Sequence, residues 1–102
     1  MTYKPAIVTA WMLAQGIPAP AYEHRFHPTR LWRFDLAWPA RLLYLEIDGG
    51  IWIKGGHNRG PQMLKDWEKR NAATVLGWRG LWCEPKGLMT ATMADTIRRA
   101  IG

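Results

Sequence analysis

Apolar positions recur at helical spacing near the start of the chain. Ile7, Trp11 and Ala14 fall on one stripe, which Val8 and Met12 widen. Pro5 suits a first turn and Gly16 a stop, so the pattern predicts a helix over residues 5–15 that packs by that stripe. Pro18 and Pro20 then suppress helix on both sides, and residues 17–20 read as an extended connector. Three strands follow, over 22–27, 31–37 and 41–48, ended by Pro28-Thr29, Trp38-Pro39 and Gly49-Gly50. The short proline-containing gaps predict antiparallel hairpins. Five glycines between positions 49 and 60 surround Ile51-Trp52-Ile53, which predicts a flexible excursion holding a short strand. A second helix is expected over 61–76, with Met63, Trp67, Ala73 or Thr74 and Leu76 apolar and Gly77 closing it. A fourth strand over 78–83 and a last helix over 90–101 complete the order αβββαβα. Residues 1–102 therefore form one α/β domain, a small mixed sheet flanked by helices, with no repeat and no domain boundary.

Strand alternation sorts the charges. In the second strand Arg33 and Asp35 share one face, and Trp32, Phe34 and Leu36 the other. In the third, Glu46 and Asp48 lie with Tyr44, opposite Leu43, Leu45 and Ile47. If the connection through Pro39 is a tight hairpin, residues whose numbers sum to about 81 pair. Asp35 then faces Glu46, and Arg33 faces Asp48. Two carboxylates directly opposite repel and need an offset. A hard divalent cation provides one, since Mg²⁺ takes carboxylate oxygens together with water and phosphate. A shared proton or pairing with Arg33 provides another, and the pattern alone leaves these open.

Charge tips the balance. Lys and Arg number 14 against 8 Asp and Glu, a net charge of +6, and this surplus favours a polyanionic partner. Four of those acids, Glu23, Asp35, Glu46 and Asp48, fall between positions 23 and 48, as expected of a cation site in an otherwise basic chain. Seven tryptophans are assigned mainly to core packing, and Trp52 too reads as buried rather than wedged between bases. His24 and His27 read as DNA-facing or structural rather than as ligands. The glycine-rich stretch lacks phosphate-loop spacing. A single cysteine, Cys83, excludes an intrachain disulfide and fits a reducing, cytoplasmic compartment. The run from Ala6 to Ala14 and Ala19-Pro20-Ala21 raise a secreted basic protein as a third class, but the run reads better as an amphipathic helix. No stretch approaches the roughly 20 apolar residues of a membrane span.

Several motifs occur in a set order. Glu23 with Arg25-Phe26-His27-Pro28 comes first, then Arg30-Leu31-Trp32-Arg33-Phe34-Asp35, then Leu45-Glu46-Ile47-Asp48-Gly49-Gly50. Gly56-His57-Asn58-Arg59, Lys69 with Asn71-Ala72-Ala73, and Gly77-Trp78-Arg79 follow. Over about residues 17–85 this set resembles small phage and prophage endonucleases related to the very-short-patch repair and Holliday-junction-resolving branches of the PD-(D/E)XK superfamily.

The resemblance implies a restriction-endonuclease-like fold and a Mg²⁺- or Mn²⁺-dependent deoxyribonuclease. Asp35 matches the motif aspartate and Glu46 the acidic residue of the (D/E)XK element, both metal ligands. Glu23 matches an upstream acid that completes the site. Asp48 stands where the superfamily usually has lysine, a departure that resembles the repair branch. It leaves the water-activating group open between His57, as general acid or base, and Lys69, in place of the missing lysine. Asp48 either ligates a second ion or pairs with Arg33. Arg25, Arg33, Lys54, Arg59, Lys65 and Arg70 are the candidate phosphate contacts. The resolvase resemblance implies branched or nicked DNA as substrate and a homodimer. A second class stays open: a non-catalytic DNA-binding or packaging-associated module on the same scaffold.

Overall fold

The computed structural model describes residues 3–49 and 60–102. The elements come in the order α1 (Pro5–Ala14), β1 (Ala21–Arg25), β2 (Arg33–Trp38), β3 (Leu43–Ile47), α2 (Gly60–Val75), β4 (Arg79–Cys83) and α3 (Ala91–Ile101). The expected αβββαβα order is therefore present. The expected short strand at Ile51-Trp52-Ile53 lies outside the described residues.

The strands form one sheet in the order β1-β2-β3-β4. The first two pairings are antiparallel and β3–β4 is parallel, with α2 in the segment that returns the chain from β3 to β4. Pro39–Arg41 makes a single 3-10 turn, and Leu42 turns the chain back at φ 49°, its N–H reaching Pro39 O. That short connection sets the register Leu36↔Leu45, Ala37↔Tyr44 and Trp38↔Leu43, whose numbers sum to 81 as the hairpin spacing requires.

Two apolar clusters sandwich the sheet. Val8 and Met12 of α1, with Met93, Ala94 and Ile97 of α3, cover Leu36, Trp38, Leu43 and Leu45 on one face. Full burial of a side chain such as Leu45 contributes about 1.5–3 kcal/mol. Phe34, Ala37 and Tyr44 pack with Ala73 of α2 and with Trp78 on the other. Cross-links tie the layers: Arg98 of α3 donates to Gln15 O at the end of α1, Tyr22 donates to Pro5 O, and Trp38 donates to Pro18 O. Thr90 caps α3 by accepting from the Met93 N–H.

Three expectations are corrected. The buried stripe of α1 is Val8 and Met12, i and i+4, whereas Ile7 is over half exposed and Ala14 is also exposed. Helix α2 buries Ala73, but Trp67, grouped with the tryptophans assigned mainly to core packing, is 49% exposed, and the apolar Met63 and Leu76 are each more than 40% exposed. Phe34 and Leu36 do not share a face, since each belongs to a different cluster. Their neighbours divide the same way: Tyr22, the β1 partner of Leu36, packs with the α1–α3 side, and Phe26, just past β1 and stacked on Phe34, with the α2 side. Both strands switch faces between Tyr22↔Leu36 and His24↔Phe34, the step that sets Glu23 opposite Asp35. Glu23 makes the switch with a left-handed backbone, φ 50°.

Candidate active site

The β2–β3 ladder stops at Leu36↔Leu45, and the next step is bridged by side chains instead of backbone. The Asp35 N–H donates to Glu46 Oε2 at 3.1 Å, and the Ile47 N–H donates to Asp35 Oδ2 at 2.7 Å. Each carboxylate thus takes up a backbone donor that the parted strands would otherwise leave without a partner. Asp35 and Glu46 come together, as the register of 81 predicts.

Lys69 completes the group. It projects from α2, and its ammonium donates both to Glu46 Oε1 and to the Arg33 carbonyl at 2.5 Å. The offset to carboxylate repulsion is therefore a cation from a helix 23 positions further along the chain. Burial pushes the Glu46 carboxyl up to about 7, and the Asp35 charge adds to the rise. The Lys69 hydrogen bond and charge pull it back. Glu46 is consequently a carboxyl that changes charge near neutrality.

A cleft of about 240 Å³ opens beside this group, lined among others by Glu46, Asp48, Asp66, Lys69, Arg70 and Trp82. Trp82 stands directly across from Glu46 in the β3–β4 register. Its neighbour Gly80 is there for steric reasons: a β-carbon at that position would lie 2.3 Å from Tyr44 Cζ and 2.6 Å from Trp82 Cη2. Without it, Tyr44 and Trp82 meet edge to face at 5.5 Å, and Arg70 lies 4.2 Å over the Trp82 ring.

The remaining predicted residues distribute as follows. Glu23 is exposed on β1 opposite Asp35. Asp48 follows β3, donates its N–H to Cys83 O at 2.8 Å and lines the cleft. Arg25 and Arg33 are exposed and pair directly across β1 and β2. Arg70 lines the cleft, whereas Lys65 is exposed on α2 and does not line it. His57, Lys54 and Arg59 lie outside the described residues, as does Trp52. His24 packs on Trp78, and His27 Nδ1 accepts from the Thr29 and Arg30 N–H groups.

Two residues near the site carry no motif. Trp82 was assigned to packing with the other tryptophans, yet it is 42% exposed in the cleft wall. Tyr3 is the other: its buried hydroxyl has no hydrogen-bond partner among the described residues. Burial, then the charges of Asp35 and Glu23, push that phenol up to about 12. The alternation in 79–83 could have flagged Trp82 as facing the Glu46 side; nothing in sequence flags Tyr3.

Among the described residues no three His, Cys, Asp or Glu side chains cluster closely enough to form a metal cage. A hard ion does not need one. Mg²⁺ is usually held by one or two carboxylates, with water and substrate phosphate supplying the rest. Asp35 and Glu46 offer that donor class from neighbouring strands, so the residues fit such an ion. Among the described residues no helix is long and apolar enough to cross a membrane. No protein-family model matches the chain, and no curated protein and no solved structure matches it either.

Proposed function

We propose that this chain is a metal-dependent DNA endonuclease of the PD-(D/E)XK kind, built on a restriction-endonuclease-like variant of its α/β fold. The observation that carries this is the meeting of Asp35, Glu46 and Lys69 where β2 and β3 part. Two acids and a lysine at one step of a sheet are the group that the sequence resemblance implies, with Lys69 of α2 standing in for the lysine replaced by Asp48.

Asp35 and Glu46 would hold Mg²⁺ or Mn²⁺, which supplies a water of lowered pKa and stabilises charge on the phosphoryl oxygens. The chain's own groups do the rest. Backbone N–H groups fix one oxygen of each carboxylate, so both are oriented before substrate arrives. Lys69 balances the charge of Glu46 and would be the group to hold or pass a proton in the attack of water. Arg25 and Arg33 support a polyanionic substrate. Like charges directly opposite on a sheet are unfavourable, and among the described residues neither forms an ion pair. A phosphate between them removes that cost. Branched or nicked DNA as substrate, and a homodimer, belong to the same proposal.

One observation favours a second reading, a non-catalytic DNA-binding or packaging-associated module. Lys69 already neutralises Glu46, which is also what a purely structural ion pair does. The two part on one assay: nicking of supercoiled plasmid with Mg²⁺ or Mn²⁺ by wild type, Asp35→Asn and Glu46→Gln. Cleavage by wild type that both variants lose supports the enzyme. DNA binding by all three with no cut under either ion establishes the module.

A further inference from the structure

We infer that Trp82 and Arg70 form a seat for one unstacked nucleobase, so that the substrate is nucleic acid with an unpaired base beside the cut. This rests on the nucleic-acid reading above and names the substrate class for the same site. Three observations carry it. Trp82 is the β4 partner of Glu46 in the parallel register, so their backbones lie one strand spacing, about 4.8 Å, apart, and both side chains line the same cleft. It is a tryptophan left 42% exposed in a cleft wall, while Gly80 and Tyr44 hold its ring in place from beneath. The cleft of about 240 Å³ falls below the ~300–1,000 Å³ that takes a drug-sized ligand, which suits one ring system.

Arg70 now occupies the indole face, 4.2 Å from the ring centroid. A base entering the cleft takes that place, since its flat π surface stacks on tryptophan whatever its identity. Arg70, on its flexible stem, then turns its guanidinium to the nucleotide's phosphate. Lys69 and Glu46 line the same cleft, so the phosphate of a seated base lies at the candidate catalytic group.

The test uses the full chain in EDTA, which removes cleavage from the readout. Binding of a labelled twelve-residue oligothymidylate is compared by anisotropy with a twelve-residue abasic strand of equal charge. Wild type should prefer the base-bearing strand by about tenfold, within the range of one stacking contact. Trp82→Leu should abolish the preference and Trp82→Phe keep most of it. Arg70→Ala should weaken both strands alike. Independently of any variant, 2-aminopurine placed centrally in the strand should lose fluorescence on binding wild type. Equal affinity of wild type for the two strands, an undimmed 2-aminopurine, or a preference that survives in Trp82→Leu overturns the seat alone. Failure to bind either strand overturns the seat, and failure to bind a nicked duplex as well overturns the nucleic-acid reading with it.

Discussion

Lys69 holds Glu46 from a different layer of the fold, its ammonium on Oε1 while the Asp35 N–H takes Oε2. A burial-raised carboxyl binds more protons in the native state than in the unfolded chain between its ordinary value of 4.5 and about 7. The stability it contributes is fully present below about pH 4.5 and is lost as pH rises through about 7, by at most about 1.4 kcal/mol per pH unit. Urea midpoints at pH 5 and pH 8, without divalent ions, should fall more for wild type than for Glu46→Gln. Identical pH dependence in the two proteins would show that Glu46 titrates normally.

Removing the lysine tests the same pair from the other side. In Lys69→Met the hydrogen bond and the charge by which Lys69 lowers the Glu46 carboxyl are gone while burial remains, so its titration should move further up. Carboxyl-detected NMR reads this directly. At pH 8 the variant should lose about 1–3 kcal/mol, less than a fully buried pair because both partners keep about a fifth of their surface exposed. Adding Glu46→Gln should restore part of that loss. An additive double variant would mean that the two residues do not interact in solution.

Asp35 has a scaffolding task separable from any chemistry. Its Oδ2 accepts the Ile47 N–H, so Asp35→Ala leaves that donor without a partner and should cost about 1–3 kcal/mol. Asp35→Asn keeps an acceptor oxygen and should fold nearly as well. Both should lower plasmid nicking at least about a hundredfold, the scale of one lost electrostatic contact in a transition state. An Asp35→Asn protein that nicks at the wild-type rate removes Asp35 from the active site.

How much of this was readable beforehand differs between levels. The hairpin register follows from Pro39 and the short connection, because a period of two and a tight turn leave little freedom. That is why the Asp35–Glu46 encounter could be foreseen. The face switch could not, because alternation assumes regular backbone, and the break depends on Glu23 adopting φ 50°. Met63 and Trp67 supply apolar positions to α2, yet both are substantially exposed. Periodicity counts apolar residues but does not say what stands opposite them. Trp82 was grouped with the core for a similar reason, since composition cannot distinguish a tryptophan in a cleft wall from one beneath it.

Gly80 makes the aromatic floor of the cleft possible. Tyr44 cannot retreat from a new β-carbon, because its ring stacks on Phe34 at 3.9 Å. Gly80→Ala should therefore cost about 1–3 kcal/mol, as overpacking usually does. Thermal unfolding should shift down by roughly 4–8 °C per kcal/mol. In a Tyr44→Leu background the same substitution should cost less, because only the 2.6 Å approach to Trp82 Cη2 is left. An unchanged melting temperature for Gly80→Ala alone would mean that Tyr44 has room to move.

Glu23 allows strain and function to be separated. A non-glycine residue in the left-handed region costs about 1–2 kcal/mol. Glu23→Gly relieves that strain and should stabilise the fold by roughly 1 kcal/mol, whereas Glu23→Gln keeps the backbone strain and removes only the charge. If Glu23 helps to hold the ion, both variants need more Mn²⁺ for half-maximal nicking, although only the glycine variant melts higher. A glycine variant that melts higher and nicks with an unchanged Mn²⁺ requirement assigns Glu23 to the strand break alone and leaves the ion to Asp35 and Glu46. Loss of stability in Glu23→Gly would show that the left-handed turn carries no strain to relieve.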